Sequence, residues 1–507
     1  MIIVIDSGAI DGLDGYSVRV EVDAGRGLPS FHIVGLPNAA VRESRERVLA
    51  AMRQQNLPRP AGRVIVNLAP ADVRKEGAAV ELAIALAVGL QGADRACCEE
   101  LKGAAVLGEL SLSGRVEPVR GLLAMLQALA QAGCKKFIVP ACQVAEARLV
   151  PGVLVAGAYS LGTAWSWVTG RSVVPWREGG QQFVAGSKIR QAKSLTMILA
   201  TTPPHLVRLA EIVAAGRHNL LLVGPPGGGK TRLSRVVAAL QPPLTADEAL
   251  DVLRIHGVVQ AGEGVTASPE RPFRAPHHTV TRSGLVGGGN AMQPGEISLA
   301  HHGILFLDEI NEFQTGVLET LREPLEEGRL CIVRGRGART WPAQFQLVAA
   351  MNPCRCGWLG SRVRACQCRE HELDRYRSRL SGPLLDRIDC FAEVVDTNIH
   401  LGSGLPETVD DGSWSLVLDR VAAAHDRLRG CGDDLACLRS IMTGEAMQLL
   451  DEVRHAWGMT IRSLLRCARV ARTIAALEQR ESVERKDVVE AMTWRREAVL
   501  QTTKDGF

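Results

Sequence analysis

The chain has 507 residues, a net charge of +4 and 46% hydrophobic residues, a composition that suits about three globular domains. So small a net charge does not by itself indicate nucleic-acid binding, so any basic surface must be local. Because Met1–Asp6 lacks a basic leader and the apolar run Leu82–Leu90 is far too short to span a membrane, the sequence predicts a cytoplasmic protein rather than a secreted or membrane one.

The first 170 residues alternate between strand-like and helix-like segments, which predicts an α/β domain. The predicted strands are Tyr16–Val22 and Gly62–Leu68, and the predicted helices are Val41–Met52 and the buried Glu81–Leu90. Residues 171–195 include a Gly-Gly-Gln-Gln run and predict a linker.

A phosphate-binding loop follows the predicted strand Asn219–Val223 and precedes a predicted helix, Arg232–Leu240. Its residues match G-x-x-x-x-G-K-[ST]: Gly224, Pro225, Pro226, Gly227, Gly228, Gly229, Lys230 and Thr231. Glycines allow the backbone N–H groups to face phosphates, and the helix N-terminus adds positive potential. Lys230 would reach the β- and γ-phosphates and Thr231 would ligate Mg²⁺. The sequence therefore predicts binding of a nucleoside triphosphate, with ATP and Mg²⁺ as the expected pair.

Two later strands end in side chains suited to hydrolysis. The apolar run from Gly303 ends in Asp308, which would hold Mg²⁺, and Glu309, which would polarise the attacking water. The run Phe345–Met351 ends in Asn352. An isolated Asn here would more simply cap a loop, but beside the other motifs Asn352 is predicted to orient the same water.

A basic hairpin and a cysteine segment flank Asn352. Leu330–Val333 and Thr340–Phe345 predict the two strands of the hairpin, whose tip carries Arg334, Arg336 and Arg339. The arginines around the cysteines are Arg355, Arg362, Arg364, Arg369, Arg375, Arg377 and Arg379. Each element is compatible with contact to a nucleic-acid backbone or with a solvated basic loop.

The cysteine segment contains two C-x-C pairs nine residues apart, formed by Cys354, Cys356, Cys366 and Cys368. Four thiolates could surround one tetrahedral Zn²⁺, and free thiols in a loop are the alternative. The paired histidines His277-His278 and His301-His302 lack helical i, i+4 spacing, which favours structural hydrogen bonding or substrate contact over metal binding.

The chain divides by these patterns into an ATPase core over residues 196–400 and a helical domain over residues 401–507. The Gly-, Pro- and Asp-rich stretch Leu401–Ser413 separates them, and Ile461–Leu477 and Asp487–Val499 have helical apolar spacing.

Several unrelated motifs together resemble one family. They are Pro272–Thr279, Gly287–Gly289, Pro294–His301, Leu347–Cys354, Ser381–Asp389, Ile33–Pro37 and Gly108–Arg115. The chain resembles, over nearly its whole length, the magnesium-chelatase-like AAA+ proteins, and more narrowly the YifB/ComM competence group. The resemblance implies an α/β fold with a Lon-protease-like N-terminal domain (1–170), an AAA+ P-loop core with a parallel sheet, and a C-terminal helical lid.

The resemblance also implies a homo-oligomeric ring, with a hexamer expected, and assigns two arginines. Arg387 resembles the finger that reaches a neighbour's γ-phosphate, with a surface salt bridge as the alternative. Arg462 resembles the second sensor of the lid, where Thr460 stands in place of the family's usual Ser. Thr196–Thr202 followed by Pro203-Pro204 replaces the acidic Gly-Gln segment that usually borders the adenine.

The N-terminal domain resembles the proteolytic domain of Lon without its nucleophile. Where the family's Ser and Lys would stand, the chain has Lys75–Glu81 and Val119–Ala124, neither of which supplies them. We therefore expect a scaffold or partner-binding module there.

The expected function is an ATPase acting as a DNA ring motor of the ComM type, in branch migration or as a helicase in recombination of incoming DNA. A magnesium-chelatase motor subunit that remodels a protein partner is the alternative, and a nucleotide-gated regulatory protein is a third class.

Overall fold

The computed structural model describes residues 2–35, 39–70, 77–93, 99, 102–180, 202–260, 270–289, 292–334, 337–360, 364–394, 411–429 and 435–495. The chain forms two compact units. One contains Met1–Ala185 and Thr245–Pro269, and the other contains Gly186–Leu244 and Glu270–Phe507. Of the predicted linker 171–195, residues 171–180 are described and include a short strand, Arg177–Glu178. Residues 181–195, and residues 196–201 of the segment expected to border the adenine, lie outside the described residues.

The first unit is built on an eight-stranded sheet. Its strands are β1 Ile3–Asp11, β2 Asp14–Gly25, β3 Ser30–Val34, β4 Arg63–Ala69, β5 Ala104–Val106, β8 Lys136–Pro140, β9 Leu154–Ala158 and β10 Arg177–Glu178, with the separate pair β6 Glu109–Leu110 and β7 Val116–Glu117. The order across the sheet is β10-β9-β8-β5-β1-β2-β4-β3. The period-two pattern predicted for β2 is confirmed, because Val18, Val20 and Val22 are fully buried.

Helices cover this sheet and enclose its two apolar cores. They are α1 Ala39–Gln54, α2 Glu81–Gly92, α3 Leu122–Gln131, α4 Val144–Ala147, α5 Leu161–Val168 and α8 Ala246–Val259. The helix predicted at Glu81–Leu90 is confirmed as buried. Its first residue, Glu81, is fully buried and pairs with Arg47, while Ser44 donates a hydrogen bond to the same carboxylate.

Helix α8 belongs to this unit although it follows the phosphate-loop helix in sequence. Thr245 and Glu248 form a capping box at its start, which satisfies N–H groups of the first turn. Leu253 is buried in the core that also contains residues of α3, and the Gly121 N–H donates to the Gly257 carbonyl at 2.9 Å. The chain therefore leaves the second unit after Leu244, completes the first unit, and returns at Glu270.

The second unit contains a five-stranded parallel sheet. Its strands are β11 Leu220–Val223, β12 Phe273–Arg274, β15 Ile304–Leu307, β18 Gln346–Met351 and β19 Cys390–Glu393, in the order β12-β15-β18-β11-β19. Short antiparallel pairs are β13 Gly287–Gly288 with β14 Gln293–Pro294, and β16 Arg329–Arg334 with β17 Gly337–Pro342. The predicted parallel sheet is confirmed, and β18 lies between the strands that carry the two main motifs.

Helices surround this sheet and form the C-terminal part. They are α6 Pro204–Gly216, α7 Lys230–Leu240, α9 Arg282–Val286, α10 Glu296–Leu299, α11 Thr315–Leu318, α12 Pro324–Glu327, α13 Glu370–Arg377, α14 Gly382–Leu385, α15 Asp411–Leu428, α16 Leu435–Ser440, α17 Gly444–Trp457, α18 Ile461–Leu477 and α19 Arg485–Thr493. The helix predicted at Ile461–Leu477 is confirmed. Among the described residues, no helix is long and apolar enough to cross a membrane.

The predicted boundaries differ from the structure by one to three residues at several elements, and the last helix and the second hairpin strand are shifted toward the N-terminus at both ends. The helix predicted at Asp487–Val499 spans Arg485–Thr493, because Glu484 and Asp487 form a capping box that starts it earlier. The second strand of the hairpin begins and ends earlier than predicted, because Arg334 pairs with Gly337 and this register carries β17 only to Pro342.

Candidate nucleotide and metal sites

The phosphate loop connects the end of β11 to the start of α7, as the sequence predicted. Gly227 and Gly229 have φ values of +82° and +89°, which a side chain would strain, and a Cβ at either position would meet open space. The loop thus presents its backbone to open space at the N-terminus of an eleven-residue helix. This arrangement suits an anion, because the N–H groups of a helix N-terminus and the helix dipole both favour negative charge there.

Lys230 is folded back into this loop. Its side chain is buried, and the ammonium donates to the carbonyls of Gly224 at 2.7 Å and Pro225 at 2.9 Å. Burial lowers the pKa of Lys230, against the opposing charges of Asp308 and Glu309. The third partner is the Asn352 Oδ1 atom at 3.0 Å, so Asn352 meets the phosphate loop directly.

Thr231 and Asp308 face each other across the ends of β11 and β15. The Thr231 hydroxyl donates to Asp308 Oδ2 at 2.8 Å, and the other carboxylate oxygen accepts the Glu309 N–H at 3.0 Å. These are hard oxygen atoms of the kind that Mg²⁺ prefers, and they lie beside the loop that would hold the phosphates. The donor set therefore fits the predicted Mg²⁺.

Glu309 is exposed and has an unusual backbone conformation. Its φ is +51°, so the chain turns sharply after β15 and directs the two adjacent carboxylates differently. The Glu309 Oε2 atom lies 4.0 Å from His278 Nδ1, and the His278 ring lies 4.0 Å from that of His277. From the sequence, His278 was expected to make structural hydrogen bonds or to contact substrate. Its place beside Glu309 depends on a chain separation of about thirty residues, which no local pattern reveals.

Arg387 and Arg462 lie together, at the opposite end of the sheet from the phosphate loop. The Arg387 carbonyl accepts a hydrogen bond at 2.9 Å from Asn219, the residue that precedes β11. The phosphate loop follows the other end of β11, and four strand residues span about 13 Å. Both arginines bind the Glu326 carboxylate, one on each oxygen at 2.7 Å.

Arg387 is held on several sides. Its side chain is nearly buried, and its guanidinium also donates to the carbonyls of Arg322 and Pro383. Burial opposes ionisation of Glu326, but the hydrogen bond and charge of Arg387 and the charge of Arg462 outweigh it and lower the Glu326 pKa. Sequence reasoning missed Glu326, because an acidic residue in a Glu-Glu pair near a basic hairpin looks like ordinary surface charge.

The four cysteines of the predicted zinc site form one cluster. Cys354 and Cys356 have sulfur atoms 3.3 Å apart, and Cys366 Sγ lies 3.7 Å from the first and 3.6 Å from the second. With the Cys368 sulfur included, all four sulfur atoms lie within 4.8 Å of one another. Four sulfurs at tetrahedral Zn–S bonds of 2.3 Å would be about 3.8 Å apart. The spacing therefore fits a zinc ion.

Two backbone N–H groups point at the cluster's sulfurs. Leu359 donates to Cys354 Sγ and Cys368 donates to Cys366 Sγ, each at 3.4 Å. Such bonds to sulfur are the outer-shell support expected around thiolate ligands. Cys354 is fully buried, while the other three are partly exposed.

Exposed arginines lie between the cysteines of the cluster and in or next to the helix that follows them. Those whose side chains the structure describes are Arg355, Arg364, Arg369, Arg375, Arg377 and Arg379. Arg364 lies over the Trp358 ring, 5.8 Å from its centre, and Arg379 pairs with Glu312. The side chains of Arg334, Arg336 and Arg362 lie outside the described residues, while Arg339 on β17 is half-buried.

Comparisons with known proteins agree with this geometry. The family described as "Magnesium chelatase, subunit ChlI" matches residues 201–400, "Subunit ChlI of Mg-chelatase" matches residues 20–143, and "Magnesium chelatase, subunit ChlI C-terminal" matches residues 434–495. The competence protein ComM of Haemophilus influenzae is 35% identical over 97% of this chain and 97% of its own.

The chain belongs to the YifB/ComM family of magnesium-chelatase-like AAA+ proteins.

Two further relatives extend the comparison. YifB of Salmonella typhimurium is 35% identical over 97% of this chain and 96% of its own. An uncharacterized protein of Mycobacterium tuberculosis is 40% identical over 83% of this chain and 81% of its own. The predicted family and fold class are therefore confirmed, and the family is one of ATPases that use ATP and Mg²⁺.

Proposed function

We propose that this chain is the subunit of a cytoplasmic, ATP-driven homo-oligomeric ring that acts on DNA. In the proposed activity, ATP hydrolysis drives branch migration or unwinding during recombination of incoming strands, as the name of its relative ComM suggests for competence. The observation that carries the ring motor is the separation of two charged groups on one sheet. The phosphate loop lies at one end of β11, and the Arg387–Glu326–Arg462 group lies at the other.

At the phosphate end, five side chains would divide the work of hydrolysis. Lys230 would neutralise phosphate charge in the bound state, and Thr231 with Asp308 would hold Mg²⁺. Glu309 would polarise the attacking water, and Asn352 would orient it while also contacting Lys230. When bound, Mg²⁺ would supply positive charge to the phosphate oxygens.

At the other end, Arg387 and Arg462 are too far along the sheet to serve the nucleotide of their own chain. In a head-to-tail ring, however, one subunit's far edge meets the next subunit's phosphate loop. Both arginines would then stabilise charge on a neighbour's triphosphate, and Glu326 would hold them in place until that nucleotide arrives.

The DNA assignment depends on the exposed arginines around the cysteine cluster. They form a dense basic segment in a chain whose overall charge is small. Arginines of this kind bind phosphate oxygens without regard to sequence, which suits a motor that moves along DNA. The zinc ion that we propose for the four cysteines would hold this segment in one conformation.

A motor that remodels a protein partner is the second candidate. It is favoured by the family descriptions, all three of which name a magnesium-chelatase subunit. Such a motor would hydrolyse ATP in the same way but would respond to a protein rather than to DNA.

The decisive experiment compares ATP hydrolysis and strand movement on forked and four-way DNA junctions. The purified protein should bind these substrates at low salt, hydrolyse ATP faster with them, and move strands only with ATP. The Glu309→Gln variant should bind DNA and ATP but move nothing. Absence of DNA binding and of strand movement at low salt, with ATPase activity intact, would reject the DNA motor in favour of a protein-remodelling one.

A further inference from the structure

The cysteine segment approaches the phosphate loop closely at one residue, Gly357. Gly357, between the two C-x-C pairs, has a φ of +83°, and a Cβ there would come within 2.8 Å of Cδ and 2.9 Å of Cγ of Pro226. Pro226 is the third residue of the phosphate loop. A tight turn places Gly357 there, because its N–H donates to the Cys354 carbonyl at 3.0 Å. Gly357 of the cysteine segment therefore lies so close to the phosphate loop that there is no room for a side chain between them.

The cysteine segment is also tied to the catalytic side chains at both of its ends. It begins two residues after Asn352, which accepts the hydrogen bond from Lys230. It leads into helix α13, where the buried Tyr376 carbonyl accepts a hydrogen bond at 3.1 Å from Asn311, two residues after Glu309. One loop thus joins the end of β18, the phosphate loop and the turn beyond β15.

We propose that the four cysteines bind one zinc ion and that the zinc-bound loop positions the nucleotide site. This inference rests on the ATP and zinc assignments above and adds a coupling between them. The zinc fixes the turn from Cys354 to Gly357, the turn presses on Pro226, and the same segment holds Asn352 toward Lys230. The cysteines are positioning residues, since none of them contacts the phosphate loop's Lys230 or Thr231 through a hydrogen bond in the described structure.

Loss of the metal should therefore weaken ATP binding. Without a metal, no bond ties the turn from Cys354 to Gly357 to Cys366 and Cys368, so the loop is free to open. An open loop withdraws Gly357 from Pro226 and frees Asn352, and a catalytic geometry loosened by about 1 Å costs on the order of 100-fold in rate. We expect ATP affinity to fall at least about tenfold, which is about 1.4 kcal/mol.

Two glycines of the loop provide a matched pair of variants that keep all four thiols. Gly357→Ala and Gly360→Ala both place a methyl group at positive φ, +83° and +76°. Only the first methyl would strike Pro226, because the nearest atom to a Cβ at Gly360 is Glu393 Oε1 at 3.9 Å. Both variants therefore carry similar backbone strain, but only Gly357→Ala disturbs the contact with the phosphate loop.

The experiment measures two quantities on the full chain: bound zinc, by elemental analysis, and the dissociation constant of a fluorescent ATP analogue. Every protein tested carries Glu309→Gln to prevent turnover. We expect one zinc per chain in the Glu309→Gln parent and both glycine variants, with weaker nucleotide binding in Gly357→Ala alone. Cys366→Ser/Cys368→Ser should lose both zinc and nucleotide affinity. The exposed Cys331→Ser should lose neither.

Three results would overturn the proposal. They are a desalted parent protein with no zinc, a zinc-free double-serine variant that binds nucleotide as tightly as the parent, and equal affinities in the two glycine variants. Each of these leaves the ATPase assignment standing if the parent binds ATP. A parent that binds no ATP at all would reject the proposed function together with this coupling.

Discussion

If Arg387 serves a neighbouring subunit, two inactive variants should restore each other. Arg387→Ala keeps its own phosphate loop, Asp308 and Glu309 but offers no finger to the next chain. Glu309→Gln cannot activate water but still offers Arg387. Each protein alone should be inactive, and for the finger variant we expect kcat to fall by about 10³- to 10⁵-fold, the effect of removing an arginine from a γ-phosphate.

The size of the recovery follows from the geometry. The Arg387 carbonyl meets Asn219 at one end of β11, and the phosphate loop follows the other end, about 13 Å along the strand. In the proposed ring, each working site would therefore take its loop from one chain and its finger from the next. In an equal, randomly assembled mixture, about half of the sites carry an intact loop and about half of those meet an intact finger. The mixture should therefore recover about one quarter of the wild-type rate.

The assay measures steady-state phosphate release from each variant alone and from an equal mixture of Arg387→Ala and Glu309→Gln. Affinity pull-down of one tagged variant checks that the two assemble together. Arg387 is buried, so melting of Arg387→Ala must first show that the chain is folded. Arg329→Ala, a change to an exposed arginine in the same unit, is the control and should stay active alone. Mixed rings that form but hydrolyse no faster than the separate proteins would refute action in trans.

Further predictions concern the phosphate loop, the basic segment and a buried acid. Lys230→Ala should abolish ATP binding, whereas Glu309→Gln should keep binding and stop turnover, which equilibrium binding and phosphate release measure separately. Arg364→Ala/Arg369→Ala should weaken DNA binding equally across sequences and flatten its salt dependence by about one unit for each lost phosphate contact, as titrations at several salt concentrations would show. Burial raises the pKa of Glu146 to about 7, so its protonated form stabilises the fold below about pH 4.5 and that contribution is lost as pH rises through 7. The unfolding free energy should fall by about 3 kcal/mol between about pH 4.5 and pH 7. Thermal melts at several pH values should show a smaller loss of stability with rising pH in Glu146→Gln than in the wild type.

The sequence predicted which residues of the proposed phosphate site lie together, because that pattern is local. The loop from Gly224 to Thr231 is a single continuous motif, and Asp308 and Asn352 each follow an apolar strand. Parallel strands bring their carboxyl ends to one edge, so three separate strand ends imply one site. The close contacts of Lys230 with Asn352 and of Thr231 with Asp308 follow from that rule.

Contacts between distant, unremarkable residues could not be predicted in the same way. Glu326 and Gly357 belong to no motif, and each matters only because folding brings a specific side chain against it. Helix α8 has ordinary amphipathic spacing, and nothing in that spacing says that it completes the first unit rather than the second. Local periodicity identifies an apolar face but not the surface that it covers.

In the proposed ring, the carboxylate of Glu326 would allow the buried Arg387 to act as a finger. An unpaired guanidinium in so enclosed a position would be costly, and Glu326 removes that cost while holding both arginines within 2.7 Å of one carboxylate. A neighbour's γ-phosphate carries more charge and more acceptor oxygens than a carboxylate does, so it can compete for the same two arginines. Exchange of Glu326 for the phosphate would then change the contacts of Arg387 on α14's end and of Arg462 on α18 together. Because Arg466, one turn after Arg462, donates to the Arg387 carbonyl and to Asp389, that exchange would reach the strand next to the phosphate loop of the same chain. Through these contacts, the nucleotide bound to one subunit would change the nucleotide site of the next subunit. A motor whose subunits hydrolyse ATP in sequence requires such coupling.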